Sequence, residues 1–295
     1  MTADAPPLQQ HGPAHTARLL MSCPDGPGIV AAVASFLFER GANIVSSDQF
    51  STHPERGTFF MRTSFYLPEL VREPADFEAG FDELARRHSM DWRIRFSDRP
   101  RRVALMASKS EHCLLDLLWR QRSGELAMDI ACVISNHEDL RRDVESFGVS
   151  FVHIPVDAAT KVQAEREALE LLAGRVDLLV LARYMQILSA GFLLEVACPV
   201  INIHHSFLPA FAGAQPYRQA YERGVKLIGA TAHYVTERLD EGPIIDQDVQ
   251  RVAHDYTITD LERVGRDLER VVLARAVRHE LDDRVLVHEG RTIVF

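Results

Sequence analysis

The side chains best suited to chemistry in this chain fall in two short stretches. In the first, the apolar run Val200-Ile201-Asn202-Ile203 leads directly into His204-His205-Ser206-Phe207-Leu208-Pro209. Polar groups at the end of a buried strand, followed by a proline-limited loop, stand where α/β enzymes place reacting atoms. Side chains two apart in extended chain point the same way, so Asn202 and His204 present an amide and an imidazole to one cleft. The second stretch is Gly229-Ala230-Thr231-Ala232-His233-Tyr234-Val235, followed by Thr236 to Ile245, in which Asp240 occupies a tight turn before Gly242-Pro243. An amide, an imidazole and a carboxylate stabilise developing charge and move protons. Singly, the Asn reads as a turn residue and the Asp as a turn former; their combination is what points to chemistry. His204, His205, His233 and Asp240 also suggest a metal site. Their spacing matches no zinc signature, and adjacent histidines in a strand face opposite ways, so no metal is expected.

The elements that must hold these groups read as two domains. Arg18 to Met21 is a short strand ending in the turn-rich Ser22-Cys23-Pro24-Asp25-Gly26-Pro27-Gly28. A helix follows over Ile29 to Phe38, with Pro27 suited to its first position and Gly41 to its stop. Ile44 to Ser51 and Thr58 to Tyr66 alternate as a hairpin, then Ala75 to His88 forms a helix and Asp91 to Phe96 a strand. The order βαββαβ predicts a ferredoxin-like domain over 15–97. Asp98, Arg99 and Pro100 fall in a polar break. From 101 to 295 short apolar strands alternate with helices: strands at Val103 to Ala107, Met128 to Ile134, Ser150 to Ile154, Asp177 to Ala182 and Val200 to Ile203, and helices at Cys113 to Gln121, Leu140 to Phe147 and Lys161 to Ala173. This predicts a Rossmann-like, mostly parallel α/β sheet covered on both faces. Two β-rich segments, Val225 to Val235 and Ile244 to Val252, precede a long helix from Thr259 to Glu280.

Composition narrows the function classes. A 295-residue chain with 46% hydrophobic and 25% charged residues has enough apolar material for two cores. No apolar run reaches the length of a membrane span. The first residues lack the basic start and apolar core of a signal peptide, so a cytoplasmic location is expected. A net charge of −9, without a dense Lys/Arg cluster, argues against nucleic acid as a partner. The four cysteines, Cys23, Cys113, Cys132 and Cys198, are scattered and read as buried reduced thiols.

Taken in order, Asn202-x-His204, Ser206-x-Leu208-Pro209, His233-x-Val235 and Asp240-x-Gly242-Pro243-Ile244 closely resemble the folate-dependent formyltransferase superfamily. The resemblance runs from Arg102 to Val285-Leu286-Val287-His288. It implies that Asn202, His204 and Asp240 surround a formyl carbon. The Asn202 amide and a protonated His204 would donate to the tetrahedral oxyanion, while Asp240 orients the attacking water and takes its proton. Leu181-Ala182-Arg183-Tyr184-Met185-Gln186-Ile187-Leu188-Ser189 is similar to the family segment whose backbone reads a pterin ring, implicating Met185, Ile187 and Leu188. Arg183 would meet a carboxylate of the folate tail, and His233 would either steady Asp240 or stand as a satisfied sheet histidine.

The identity of the nucleophile follows from what differs. Where transformylases of this superfamily carry a glycine-rich phosphate loop, this chain has Ala107-Ser108-Lys109-Ser110-Glu111-His112-Cys113, with no glycine and an acidic residue. The extra C-terminal domain of the tRNA formyltransferases is not expected either. Gly213-Ala214-Gln215-Pro216-Tyr217 and Ala220 to Lys226 resemble the deformylase branch, which hydrolyses 10-formyltetrahydrofolate to tetrahydrofolate and formate. That role balances one-carbon pools and supplies formate for purine synthesis, with no cofactor required. Cys23 to Val30 followed by Gly41-Ala42-Asn43-Ile44 resembles an ACT domain. The resemblance implies an amino-acid effector, glycine or methionine, held by Asp25, Gly28, Asn43 and Ile44, and homo-oligomers formed through these domains; a ligand-free dimerisation module fits the same residues. Two rival readings stand beside hydrolysis: formyl transfer to a small amine, and a non-catalytic folate or amino-acid sensor.

Overall fold

The computed structural model describes residues 15–53, 55–67, 74–97, 99–209 and 216–295. The stretch at 1–14, Asp98 in the polar break, and Gly213 to Gln215 of the deformylase-like segment lie outside the described residues. The chain divides into two compact units, one ending at Arg99 and including Phe295, the other Pro100–Val294.

The first unit is built from β1 (Thr16–Pro24), α1 (Ile29–Glu39), β2 (Asn43–Ser51), β3 (Thr58–Tyr66), α2 (Pro74–His88) and β4 (Asp91–Phe96). Its antiparallel sheet has the order β2-β3-β1-β4. Apolar residues of β1 and β3 close on those of α1 and α2, with Phe36, Phe65, Phe77 and Phe81 at the centre. One expectation is corrected. Pro27 is not the first helical residue: Gly28, at φ 90°, is the N-cap, and the Gly28 carbonyl accepts from Ala32 N–H at 2.8 Å. The chain needs a left-handed residue to turn into the helix, and glycine adopts it without strain.

The second unit comprises β5 (Arg101–Ala107), α3 (His112–Arg122), β6 (Met128–Ser135), α4 (Arg141–Ser146), β7 (Phe151–His153), α5 (Lys161–Leu172), β8 (Leu178–Leu181), α6 (Ala190–Val196), β9 (Val200–His204), α7 (Pro216–Glu222), β10 (Leu227–Tyr234), β11 (Ile244–Arg251), α8 (Ile258–Leu281) and the hairpin β12 (Val285–His288) and β13 (Arg291–Val294). The seven-stranded sheet runs β11-β10-β9-β8-β5-β6-β7. Strands β9, β8, β5, β6 and β7 are mutually parallel, whereas β10 runs antiparallel to both β9 and β11. The middles of the parallel strands are largely apolar because both faces are covered. One face packs on α3 and α8, the other on α5 and α6.

Helix α8 begins with a full capping box between Thr257 and Asp260. Its far end is tied to the first residue of β5. Arg101 donates to Glu280 at 2.6 Å and to Asp283 at 2.5 Å, and Tyr234 Oη donates to the other Glu280 oxygen. No helix among the described residues is long and apolar enough to cross a membrane.

Candidate functional site

The carboxyl ends of β8 and β9, the end of β10 and the loop before β11 converge on one cavity of about 720 Å³. That volume suits a small-molecule ligand. Asn202, His204, His233, Asp240, Arg183, Met185, Ile187 and Leu188 all line it.

The antiparallel pairing of β9 with β10 puts Asn202 directly opposite His233. Their side chains meet, Asn202 Nδ2 lying 3.3 Å from His233 Nε2. His233 Nδ1 is 2.9 Å from the Tyr234 carbonyl, which only accepts, so Nδ1 carries a proton. In the neutral ring Nε2 then accepts one Asn202 N–H, and the other amide hydrogen is free for a ligand. Asp240 bridges the two histidines, with one oxygen 3.3 Å from His204 Nδ1 and the other 3.7 Å from His233 Nε2. The opposite ring nitrogen of His204, Nε2, is buried without a hydrogen-bond partner among the described residues. A buried polar atom without a partner is costly unless a ligand completes it.

Asp240 occupies a left-handed turn position that its residue type tolerates. Its φ is 58°, a left-handed conformation that disfavours side chains other than Gly, Asn and Asp. The turn is possible because Gly242 follows: a Cβ there would lie 1.7 Å from the Tyr234 carbonyl oxygen. Pro243 then accepts from Tyr234 N–H at 2.9 Å and starts the pairing with β11. The Asp240 carboxyl is held well below the usual carboxylate range, first by its hydrogen bond with His204 and second by His233. Asp240 is therefore a carboxylate at neutral pH.

His204 and His205 depart from expectation. Instead of being separated by the sheet, their rings stack with centroids 5.1 Å apart, and both line the cavity. The cavity wraps over the strand end, so alternation no longer sorts side chains there. His205 lies 6.1 Å from the Tyr217 ring, and burial followed by the charge of Arg183 pushes its pKa down to about 4. The loop after β9 is tied down by Thr231, whose hydroxyl donates to Ser206 O at 2.8 Å and accepts from Leu208 N–H at 3.0 Å.

Residues 183–188 leave β8 as a loop beside the cavity. No hydrogen bond among the described residues engages the backbone of Gln186, Ile187 or Leu188, which leaves donors and acceptors free for a ligand's edge. Met185 and Ile187 expose more than half of their surface. Arg183, at φ 64°, directs Nε to Glu269 at 3.4 Å, so at least this part of the guanidinium faces the protein rather than a folate tail.

Glu269 is the functional-site residue that sequence reasoning missed. It is 1% exposed and accepts from His112 Nε2 at 2.8 Å and Tyr217 Oη at 2.7 Å. Despite burial its carboxyl is held below the ordinary value, with His112 and Arg183 outweighing desolvation. Its signal was present: Leu261, Gly265, Glu269, Val272 and Ala276 form the buried stripe of α8, and an acid on that stripe needs a partner. Among the described residues, His112, Cys113 and Glu269 form the one group whose atoms approach a metal-ligand set. Burial and Glu269 keep the Cys113 thiol protonated, and Arg183 already supplies positive charge, so the donor set does not fit a cation.

In the first unit, Asp25 and Gly28 line a shallow concavity with Ile29, Gln49, Phe50 and Ser51. Ser51 Oγ donates to Asp25 at 2.5 Å. Asn43 and Ile44 are not part of it. They start β2 opposite Tyr66 and Phe65, whereas Ser51 ends the strand opposite Phe59. The expected four-residue effector site is thus not assembled within one chain.

Residues 101–277 match the formyl transferase family model and residues 17–65 the ACT domain model. The chain is 58% identical to the formyltetrahydrofolate deformylase of Mycobacterium tuberculosis H37Rv, over 100% of this chain and 98% of that protein. It is 51% identical to the Bacillus subtilis 168 protein of the same name, over 94% and 93% of the two chains. A crystal structure of a formyltetrahydrofolate deformylase from Pseudomonas syringae superposes with a TM-score of 0.90 at 52% identity, covering 95% of this chain and 94% of that one. Glycinamide ribonucleotide transformylase 1 from Symbiobacterium toebii covers 66% of this chain and 94% of its own, with a TM-score of 0.62 at 33% identity.

Proposed function

The chain belongs to the formyltetrahydrofolate deformylase family and is an enzyme, and from that premise we propose that Asp240, His204 and Asn202 carry out the hydrolysis of its 10-formyltetrahydrofolate. The observation that carries the reading is the ionised Asp240 bonded to His204 Nδ1 while His204 Nε2 is left buried and unpartnered in the cavity.

Asp240 accepts a proton from water as the water oxygen bonds to the formyl carbon. The formyl oxygen becomes an oxyanion that receives the Nε2–H of a protonated His204 and the free Nδ2–H of Asn202. Preorganised donors of this kind contribute about 3–4 kcal/mol each. The proton then passes from Asp240, through a water beside His204, to N10. The oxyanion collapses to a carbonyl, the carbon–N10 bond breaks, and tetrahydrofolate leaves with formic acid, which gives up its proton to water as formate. His233 acts on Asn202, fixing the amide so that one hydrogen faces the oxyanion. The free backbone of Gln186 to Leu188, flanked by Met185, receives the pterin ring.

Because the carboxylate and two amide and imidazole donors supply both proton transfer and charge stabilisation, the reaction needs no metal or other cofactor. Activity should survive exhaustive chelation, and a loss restored by one added metal would reverse this part of the account. In the cell the formate released would feed purine synthesis and balance one-carbon pools, in the cytoplasm. The ACT unit would carry an amino-acid effector, glycine or methionine, and join chains into a homo-oligomer.

Purified protein incubated with 10-formyltetrahydrofolate in amine-free buffer should yield tetrahydrofolate and formate in equal amounts. Turnover that appears only when an amine is added, with the formyl group on that amine, would establish transfer in place of hydrolysis.

A further inference from the structure

The cavity-side loop leaving β8 has few internal bonds, yet its ends are fastened by polar side chains from elsewhere in the unit. Ser108, at the end of β5, grips the first end twice. Its N–H donates to the Arg183 carbonyl at 3.2 Å, and its hydroxyl oxygen accepts from Met185 N–H at 2.9 Å. The same hydroxyl donates to Asn136 Oδ1 at 2.7 Å, at the end of β6. That donation orients the Ser108 lone pairs towards Met185. Both side chains belong to buried residues, Ser108 at 3% and Asn136 at 7% exposure. Arg183, whose carbonyl is the first gripped group, stands in the left-handed conformation at the point where the chain leaves the strand.

At the other end Glu165, on α5, holds Ser189 with both oxygens. One accepts from Ser189 N–H at 2.9 Å and the other from Ser189 Oγ at 2.5 Å. Ser189 in turn caps α6 by accepting from Phe192 N–H at 3.1 Å. Fixed at Met185 and at Ser189, the intervening backbone of Gln186 to Leu188 keeps its own groups unengaged.

We propose that Ser108, oriented by Asn136, and Glu165 are positioning residues for the folate ring: they clamp loop 183–189 so that the free backbone groups of Gln186, Ile187 and Leu188 are presented in a preset geometry. This rests on the proposed reading of that loop as the pterin edge. Neither residue touches the reacting atoms. Both act by sparing the ligand the cost of ordering the loop, which is how preorganisation raises affinity.

The test compares Ser108→Ala and Glu165→Ala with the wild-type full chain by three measurements. Affinity for tetrahydrofolate is read by calorimetry, KM and kcat by formate release, and loop protection by amide hydrogen exchange over residues 183–189. Each variant should bind tetrahydrofolate roughly tenfold more weakly, the loss expected for about one hydrogen bond's worth of ordering. KM should rise by a similar factor while kcat changes much less, and the loop amides should exchange faster. Glu165→Gln retains an acceptor for Ser189 N–H and should recover most of the affinity. Should Ser108→Ala fail to fold, Asn136→Ala leaves the hydroxyl in place but unoriented, and should show the same pattern more weakly. Unchanged affinity and exchange in folded variants would overturn the proposal, as would a loss of stability alone. A kcat defect with unchanged KM would overturn it too. Wild-type protein that binds no tetrahydrofolate would instead sink the proposed function, and the exchange measurement would still judge the clamp on its own.

Discussion

At the scale of single residues, the site is a set of charges whose partners fix their state. Asp240 has a depressed pKa in the folded chain, so as pH falls the unfolded chain takes up its proton first. Its stabilising contribution is full above the ordinary aspartate value of about 3.9 and drains away as pH falls through it towards the lower folded value. Asp240→Asn should therefore be less stable than wild type at neutral pH. In denaturant unfolding, the gap should narrow as pH drops from about 5 towards 2. His205 behaves in the opposite sense. It is neutral in the fold down to about 4 against an ordinary value of 6.5, so stability declines as pH falls across that interval. His205→Gln should flatten this decline, and the His205 ring signals in an NMR titration should move near pH 4. A midpoint near 6.5 would show that the ring is not desolvated as described.

The same scale shows why parts of the site were legible and others were not. Asn202 and His204 were singled out by the family resemblance, with strand alternation and the Pro209 stop placing both side chains on one side. Asp240 was readable through Gly242-Pro243, a turn signal with a carboxylate in it. Glu269, Ser108 and Glu165 were not. Each lies far along the chain from what it holds, and its role comes from burial against partners that no local pattern displays. Glu269 left a trace as an acid on an apolar helix stripe; Ser108 left none beyond its place at a strand end.

Among elements, most of the fold followed from periodicity. Strands β3 and β4 were placed residue for residue, and β2, α1, α5 and β11 within one residue. The short helices α6 and α7 and the hairpin β12–β13 were not anticipated. A seven-residue helix carries barely two turns of pattern, and Gly191 inside α6 masks it. Pro27 misled because proline suits N1 in general, while here Gly28 was needed for the left-handed turn itself. Two substitutions test how elements are joined. Arg101→Met leaves Glu280 and Asp283 buried without their cation, and should cost about 3–5 kcal/mol in denaturant unfolding. A cost below about 1 kcal/mol would mean that the join between β5 and α8 is held by apolar packing alone. Gly242→Ala brings a methyl group against the Tyr234 carbonyl and must open the turn that carries Asp240. Activity should fall by at least tenfold with KM little changed, about 1.4 kcal/mol of lost transition-state stabilisation. Wild-type kcat in a folded Gly242→Ala protein would remove Asp240 from the mechanism.

For the whole molecule, the second unit matches the formyl transferase family model and superposes on both a deformylase and a glycinamide ribonucleotide transformylase. The core trio stands at the carboxyl edge of the sheet, where a parallel α/β architecture leaves its crevice. Beside it lie a β5–α3 connection without glycine and a half-buried cluster of His112, Tyr217 and Arg183 around the buried Glu269. The most direct measurement is formate release from 10-formyltetrahydrofolate in amine-free buffer, wild type beside Asp240→Asn at saturating substrate. One formate per tetrahydrofolate is expected in the wild type, and a fall in kcat of at least a hundredfold, about 2.7 kcal/mol, in the variant. Variant turnover at the wild-type rate would contradict the assignment of Asp240 as the base.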